Sequence, residues 1–150
     1  MTAPHRGPTL DASDMEDAVG ALRSGGLRVS AARRLVLEAL FAAEEPLSAE
    51  QIADGLAGRL PRSDLASVYR NLETMEALGL VRHFHLGHGP GLYALTGAAE
   101  REYLVCSSCR TVRAVEPEAL DEIRAAIDGA FGYRASFSHF PIVGICERCR

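Results

Sequence analysis

The 150-residue chain contains no lysine, and all 16 of its basic residues are arginine. It also lacks any apolar run near the ~18 residues needed to cross a membrane, which excludes an integral membrane protein. The opening residues, MTAPHRGPTL, have no apolar core of a secretory signal, so a cytoplasmic location is expected. No serine–histidine–acid grouping, glycine-rich phosphate loop or paired-carboxylate pattern stands out, and the chain is therefore not read as an enzyme. What remains is ordinary in bulk. With 47% hydrophobic and 24% charged residues, the composition is that of a soluble globular protein rather than a disordered one.

The net charge of −4 argues weakly against a nucleic-acid coat protein, but the charge is segregated. Arg23, Arg28, Arg33 and Arg34 fall in a window, 22–34, that holds no acid. Arg59, Arg62 and Arg70 form a second group opposed by Asp64, and the acids collect mostly at 11–17, 44–54 and 116–122. A DNA-facing surface requires such segregation.

Hydrophobic spacing divides the chain in two. After a tail of about 13 residues, Met15, Ala18, Val19 and Leu22 lie on one helical face, and Gly25-Gly26 ends that helix. Ser30 caps a second helix carrying Leu35, Val36, Ala39 and Leu40. Ser48-Ala49-Glu50-Gln51 is a capping box that opens a third over 48–58, with Ile52 and Leu56 inward. Ser63 starts a fourth, over 63–78, through Leu65, Val68, Leu72, Met75 and Leu78, closed by Gly79. Leu80–Phe84 and Leu92–Leu95 then read as a two-stranded hairpin. Short helices followed by a ribbon form the plan of a winged helix-turn-helix, with 63–78 as recognition helix. A generic helical bundle with a hairpin is the alternative on pattern alone.

Residues 96–150 read as a small α/β unit. Strands are expected at 103–105 and 111–115. A helix from Pro117 to about Ala130 would turn Leu120, Ile123, Ala126 and Ile127 inward, and a long strand would cover 133–145. A unit of about 55 residues sits near the lower limit for folding alone and needs a staple. Cys106-Ser-Ser-Cys109 and Cys146-Glu-Arg-Cys149 supply one. Two C-x-x-C pairs can each give two thiolates to one tetrahedral zinc, and a closed four-thiolate site is structural. A thioredoxin-like redox pair is the competing reading, although a second pair at the far end of the chain does not suit it.

Taken together, Gly26-Leu-Arg-Val-Ser30 with Arg33, Leu47-Ser-Ala-Glu50, Ala66-Ser-Val-Tyr-Arg-Asn-Leu72, Gly79-Leu-Val81 and the paired cysteines resemble the ferric uptake regulator family of metal-responsive repressors. The resemblance runs from about residue 15 to 150. It implies a homodimer acting on a palindromic DNA operator. Each subunit would have a winged-helix domain over 1–95, a hinge at 96–101 and an α/β dimerisation domain over 102–150 stapled by zinc. By position it implies that Tyr69 and Arg70 face bases, that Arg28 reaches toward the minor groove, and that Ser67 and Arg33 hold phosphates.

The sensor departs from the family pattern. Where the family carries H-H-x-H before the first cysteine pair, this chain has Glu100-Arg101-Glu102-Tyr103, and two other usual ligand positions fall on Pro46 and Ala94. Histidine stands elsewhere. His83-Phe-His85 places two imidazoles on one side of a strand, and with His139 it resembles the inter-domain site of the family's nickel-responsive branch. These three would hold a second divalent ion (nickel, zinc, iron or another), with Glu102 and Asp121 near a further family site as additional ligands. Their alternative is a wing resting near DNA phosphate and a surface histidine. His5, in the tail, and His88, in the wing loop, receive no role. Two other readings stay open: a relative that has lost the metal sensor and answers another ligand, and a cysteine-based redox sensor.

Overall fold

The computed structural model describes residue 10 and residues 12–87, 89–97 and 101–150, so the expectations for residues 1–9, His88 and Glu100 lie outside it. The chain divides into two units, residues 1–83 with 91–98 and residues 84–90 with 99–150.

The first unit holds helices α1 (Met15–Ser24) and α2 (Ala31–Ala42), strand β1 (Leu47–Ser48), and helices α3 (Ala49–Ala53) and α4 (Leu65–Ala77). The hairpin of β2 (Val81–His85) and β3 (Gly91–Leu95) follows. Its helices begin where side chains can satisfy the first free N–H groups. Asp14 caps α1 and Ser30 caps α2. At α3 both halves of the capping box form: Ser48 Oγ accepts from Gln51 N–H at 3.2 Å, and Gln51 Oε1 accepts from Ser48 N–H at 2.8 Å. The core is built on the apolar helix stripes, with Leu22, Val36, Leu37, Val68, Leu72 and Met75 fully buried and Leu80, just before β2, buried with them. Packing α2 against α4 along these stripes fixes the outer face of α4.

Four details differ from the sequence pattern. Helix α4 is capped by Asp64 rather than Ser63: a carboxylate accepts the Ser67 N–H at 2.8 Å, favoured by the helix dipole. Leu65, at the first turn, is consequently exposed. Helix α3 stops at Ala53, because residues 55–58 form a left-handed turn with φ of 70°, 53°, 58° and 86°. Glycine adopts that conformation freely, whereas Leu56 and Ala57 do so at about 1–2 kcal/mol each. Burial of Leu56 and a 2.8 Å bond from Leu60 N–H to Gly55 O hold the turn. Finally, the ribbon has three strands in the order β1-β3-β2, Leu47 pairing with Tyr93 and Ser48 with Leu92.

In the second unit, β4 (Glu102–Cys106) pairs antiparallel with β5 (Val112–Val115) and parallel with β6 (Ile142–Gly144). A 3-10 turn, Pro117–Leu120, leads into helix α5 (Asp121–Phe131), which Gly132 ends at φ 68°. The long strand expected over 133–145 is confined to Ile142–Gly144, where β4 offers hydrogen bonds. Of the apolar helix face, Leu120 is buried, while Ile123 and Ala126 are exposed. The tip of the wing, 84–90, belongs to this unit: Phe84 stacks on Tyr103 with ring centroids 5.4 Å apart, and His85 N–H donates to His139 O at 3.0 Å.

Candidate zinc site and nucleic-acid interface

Strands β4 and β6 run parallel with Cys106 opposite Gly144, so both cysteine pairs emerge at one end of the sheet. A bond from Ser107 N–H to Gly144 O at 2.8 Å ties the two turns together, and Arg110, at φ 61°, closes the first. The four Sγ atoms lie within 4.8 Å of one another. Cys109 Sγ and Cys146 Sγ stand 3.7 Å apart, close to the ~3.8 Å edge of a tetrahedron whose four sulfurs lie ~2.3 Å from a central zinc. That spacing is far beyond the ~2.05 Å of a disulfide. Two backbone N–H groups, of Cys109 at 3.5 Å and Cys146 at 3.3 Å, point at Cys106 Sγ. They stabilise a thiolate and hold that thiol down at about 6. The donor set and its geometry fit zinc.

In the first unit α4 turns Arg70 away from Leu72 and Met75, while Tyr69, half-buried, packs at the edge of the core. Arg70 is exposed, and the Tyr69 hydroxyl donates to Glu50 Oε1 at 3.0 Å. This bond raises the Tyr69 pKa. Glu50 is held below the usual carboxylate range, first by its own backbone N–H and then by Tyr69. Arg33 reaches across to the same helix: its Nε donates to Asn71 Oδ1 at 3.1 Å and its Nη1 to the Arg28 carbonyl at 2.5 Å. Asn71, buried, returns a bond to the Ser67 carbonyl at 2.9 Å. The backbone of the exposed Arg28 is thereby tethered to α4 through Arg33 and Asn71. Arg62 pairs with Asp54 at 2.6 Å and Arg34 with Glu38 at 3.3 Å. Exposed pairs of this kind contribute little and yield readily to a phosphate.

Glu50 and Asn71 do not stand out in the sequence as interface residues. Glu50 reads there only as part of a capping box. Asn71, however, is a polar residue between Val68 and Leu72 on the buried stripe, and a buried amide needs partners; that is the signal the sequence offers.

The expected sensor residues are differently placed. His83 lies in the first unit, stacked on Tyr93 at 4.7 Å with Nδ1 3.9 Å from Glu76 Oε1. His85 and His139 meet in the second unit, ring centroids 5.7 Å apart and nearly perpendicular, with Phe140 packed against both. Among the described residues, the four cysteines are the grouping of three or more potential ligands that comes together. Glu102 and Asp121 do not stand open to an ion as expected. Glu102 is buried and both carboxylates bond Arg124, a residue with no distinguishing mark in the sequence.

The sequence model of the ferric uptake regulator family matches residues 24–139. The peroxide operon regulator of Bacillus subtilis is 25% identical over 140 residues, covering 93% of this chain and 96% of the relative. Among solved structures, the manganese-containing ferric uptake regulator of Pseudomonas aeruginosa superposes with a TM-score of 0.66 at 25% identity, covering 85% of this chain and 96% of the other. The Helicobacter pylori regulator Fur, described as having three functional metal binding sites, gives 0.68 at 18% identity over 95% of this chain and 97% of its own.

Proposed function

Because the chain belongs to the ferric uptake regulator family, we propose that it is a metal-responsive, sequence-specific DNA-binding repressor. In this reading it acts as a cytoplasmic homodimer on a palindromic operator. The observation that carries the reading is the build of α4, a helix capped by Asp64 that buries Val68, Leu72 and Met75 and leaves Arg70 exposed beside Tyr69. In a major groove, Arg70 would bond guanine O6 and N7 and the Tyr69 ring would pack on a thymine methyl. Arg28 would reach the minor groove. Ser67 and Arg33 would hold phosphates, Arg33 through Nη2, since Nε and Nη1 hold Asn71 and Arg28.

Cys106, Cys109, Cys146 and Cys149 would hold structural zinc. His85 and His139 would hold a second divalent ion (nickel, zinc or iron among the candidates) that supplies the signal. Homodimerisation is supported by the second unit's exposed apolar side chains: Ile123, Phe131, Tyr133, Phe140, Val143 and Ile145 are each 45–74% exposed. Apolar area of that extent on so small a unit favours a partner. Among the described residues no helix is long and apolar enough to cross a membrane.

Selection from a random duplex pool should enrich a palindrome. Its affinity should fall linearly with salt on logarithmic axes, the slope counting the phosphates met. Enrichment of nothing, or of unrelated sequences, would count against the reading. A second reading, oxidant sensing, draws on the peroxide-related name of the Bacillus relative and on four thiols within reach of one another. Peroxide would then release zinc and operator together, whereas the leading reading has metal as the signal.

A further inference from the structure

Glu102 at the start of β4 and Asp121 at the start of α5 direct their carboxylates to one place, and a guanidinium fills it. Arg124 Nη2 bonds Glu102 Oε2. Arg124 Nη1 donates to Asp121 Oδ1 at 2.8 Å and to the Pro117 carbonyl at 2.7 Å. The ring of Phe137 lies 5.6 Å from the guanidinium carbon. We infer that Arg124 is the resident cation of this acidic pair, buried Glu102 and exposed Asp121, holding by covalent attachment the place a divalent ion would need, so that the pair is closed to metal in this protein.

Charge and geometry carry the inference. The Glu102 side chain is only 8% exposed, and a carboxylate buried to that extent requires a cation or several donors. A planar guanidinium offers five N–H groups in a fixed fork, and here its two terminal nitrogens serve three acceptors while an aromatic face lies alongside. Hard divalent ions ask instead for about six oxygen or nitrogen ligands around a point charge. Such an ion would have to displace Arg124 from all its acceptors and then sit beside the displaced positive charge. The Arg124 pKa is raised, first by its hydrogen bond to Glu102.

What the guanidinium does there is structural and permanent. It ties β4, the 3-10 turn, the first turn of α5 and the segment bearing Phe137 into one body whatever the metal supply. A metal response, on the repressor reading proposed above, then belongs to the histidines alone. The acidic pair sets the resting shape of the second unit.

The test uses zinc-loaded full-length protein and Mn2+ alone as probe, bound ion being counted by electron paramagnetic resonance. H85A/H139A removes the histidine pair and leaves the acidic pair as the site under test. With Arg124 intact, this variant should bind no Mn2+. Adding Arg124→Gln should create one site per chain, and adding Glu102→Gln as well should abolish it. Mn2+ bound by H85A/H139A and lost on Asp121→Asn would overturn the inference, and so would an Arg124→Gln protein that gains no site. Should the combined variants fail to fold, E102Q and D121N in the otherwise native chain probe the same acidic pair. Mn2+ binding should be unchanged by either, and loss in either contradicts the inference. Because the readout needs no DNA, its failure is distinguishable from failure of the repressor assignment.

Discussion

Replacing Cys106 by serine is expected to empty the zinc site and unfold the second unit while leaving the first unit folded. Cys106 is the buried member of the four and the one that receives N–H bonds from both turns. Serine removes a ligand and sets a neutral hydroxyl, on a shorter bond, where two N–H groups meet the Cys106 sulfur. Structural zinc contributes roughly 10–16 kcal/mol in small four-ligand domains, against about 5–15 kcal/mol of net stability for a whole protein domain. The remainder of the second unit cannot make up the difference, since helix α5 has no buried residue of its own. Elemental analysis should fall from about one zinc per chain toward none, and limited proteolysis should cut within 101–150 before 12–83. Full zinc retention with a single native unfolding transition would contradict this.

The same site has a pH dependence of definite sign. A thiol held at about 6 in the fold, against an ordinary value of 9.0, favours the folded protein most fully above that ordinary value. The contribution is lost as pH falls through about 6. Protons and zinc compete for the same sulfurs, so acidification should release the metal.

The second large effect is on DNA. Arg70→Ala should weaken binding to the selected operator about 5–150-fold, the equivalent of ~1–3 kcal/mol for a lost bidentate contact to guanine. Discrimination at that base pair should relax, while binding to unrelated duplex changes little. Arg70 is exposed on α4, so thermal stability should move by less than about 0.5 kcal/mol. A proportional loss on all sequences would instead make Arg70 a phosphate contact.

Much of the fold is legible in sequence because it rests on local chemistry. Ser30 and Ser48 are helix caps whatever surrounds them, the Val68–Leu72–Met75 spacing can face only one way, and two C-x-x-C turns can reach one metal. The parts that are not legible depend on partners distant in the chain or on fine differences of reach. Asp64 displaces Ser63 as cap because its carboxylate, one residue on, meets the Ser67 N–H. The left-handed turn at 55–58 hides behind an apolar spacing that a helix would share, with Gly55 and Gly58 as the local hint. Ile123 and Ala126 match an inner helical face, yet one small unit has too little surface to cover them. The acidic pair looks like metal ligands in sequence because Arg124, 22 residues after Glu102 along the chain, gives no sign there of folding back between the carboxylates. His83 and His85 do share the expected alternation, but their neighbours assign them differently: Tyr93 and Glu76 to the first, His139 and Phe140 to the second.

The most direct test of metal sensing is operator affinity of the zinc-loaded protein as a function of added Ni2+, Zn2+ or Fe2+, measured for the native chain and for H85A/H139A. Coupling between two binding sites is typically ~1–3 kcal/mol, so at least one of these ions should tighten native binding about 5–150-fold, and the double variant should show a flat response. A native protein indifferent to every ion, or a double variant that keeps the full response, would contradict the assignment of these histidines as the sensor.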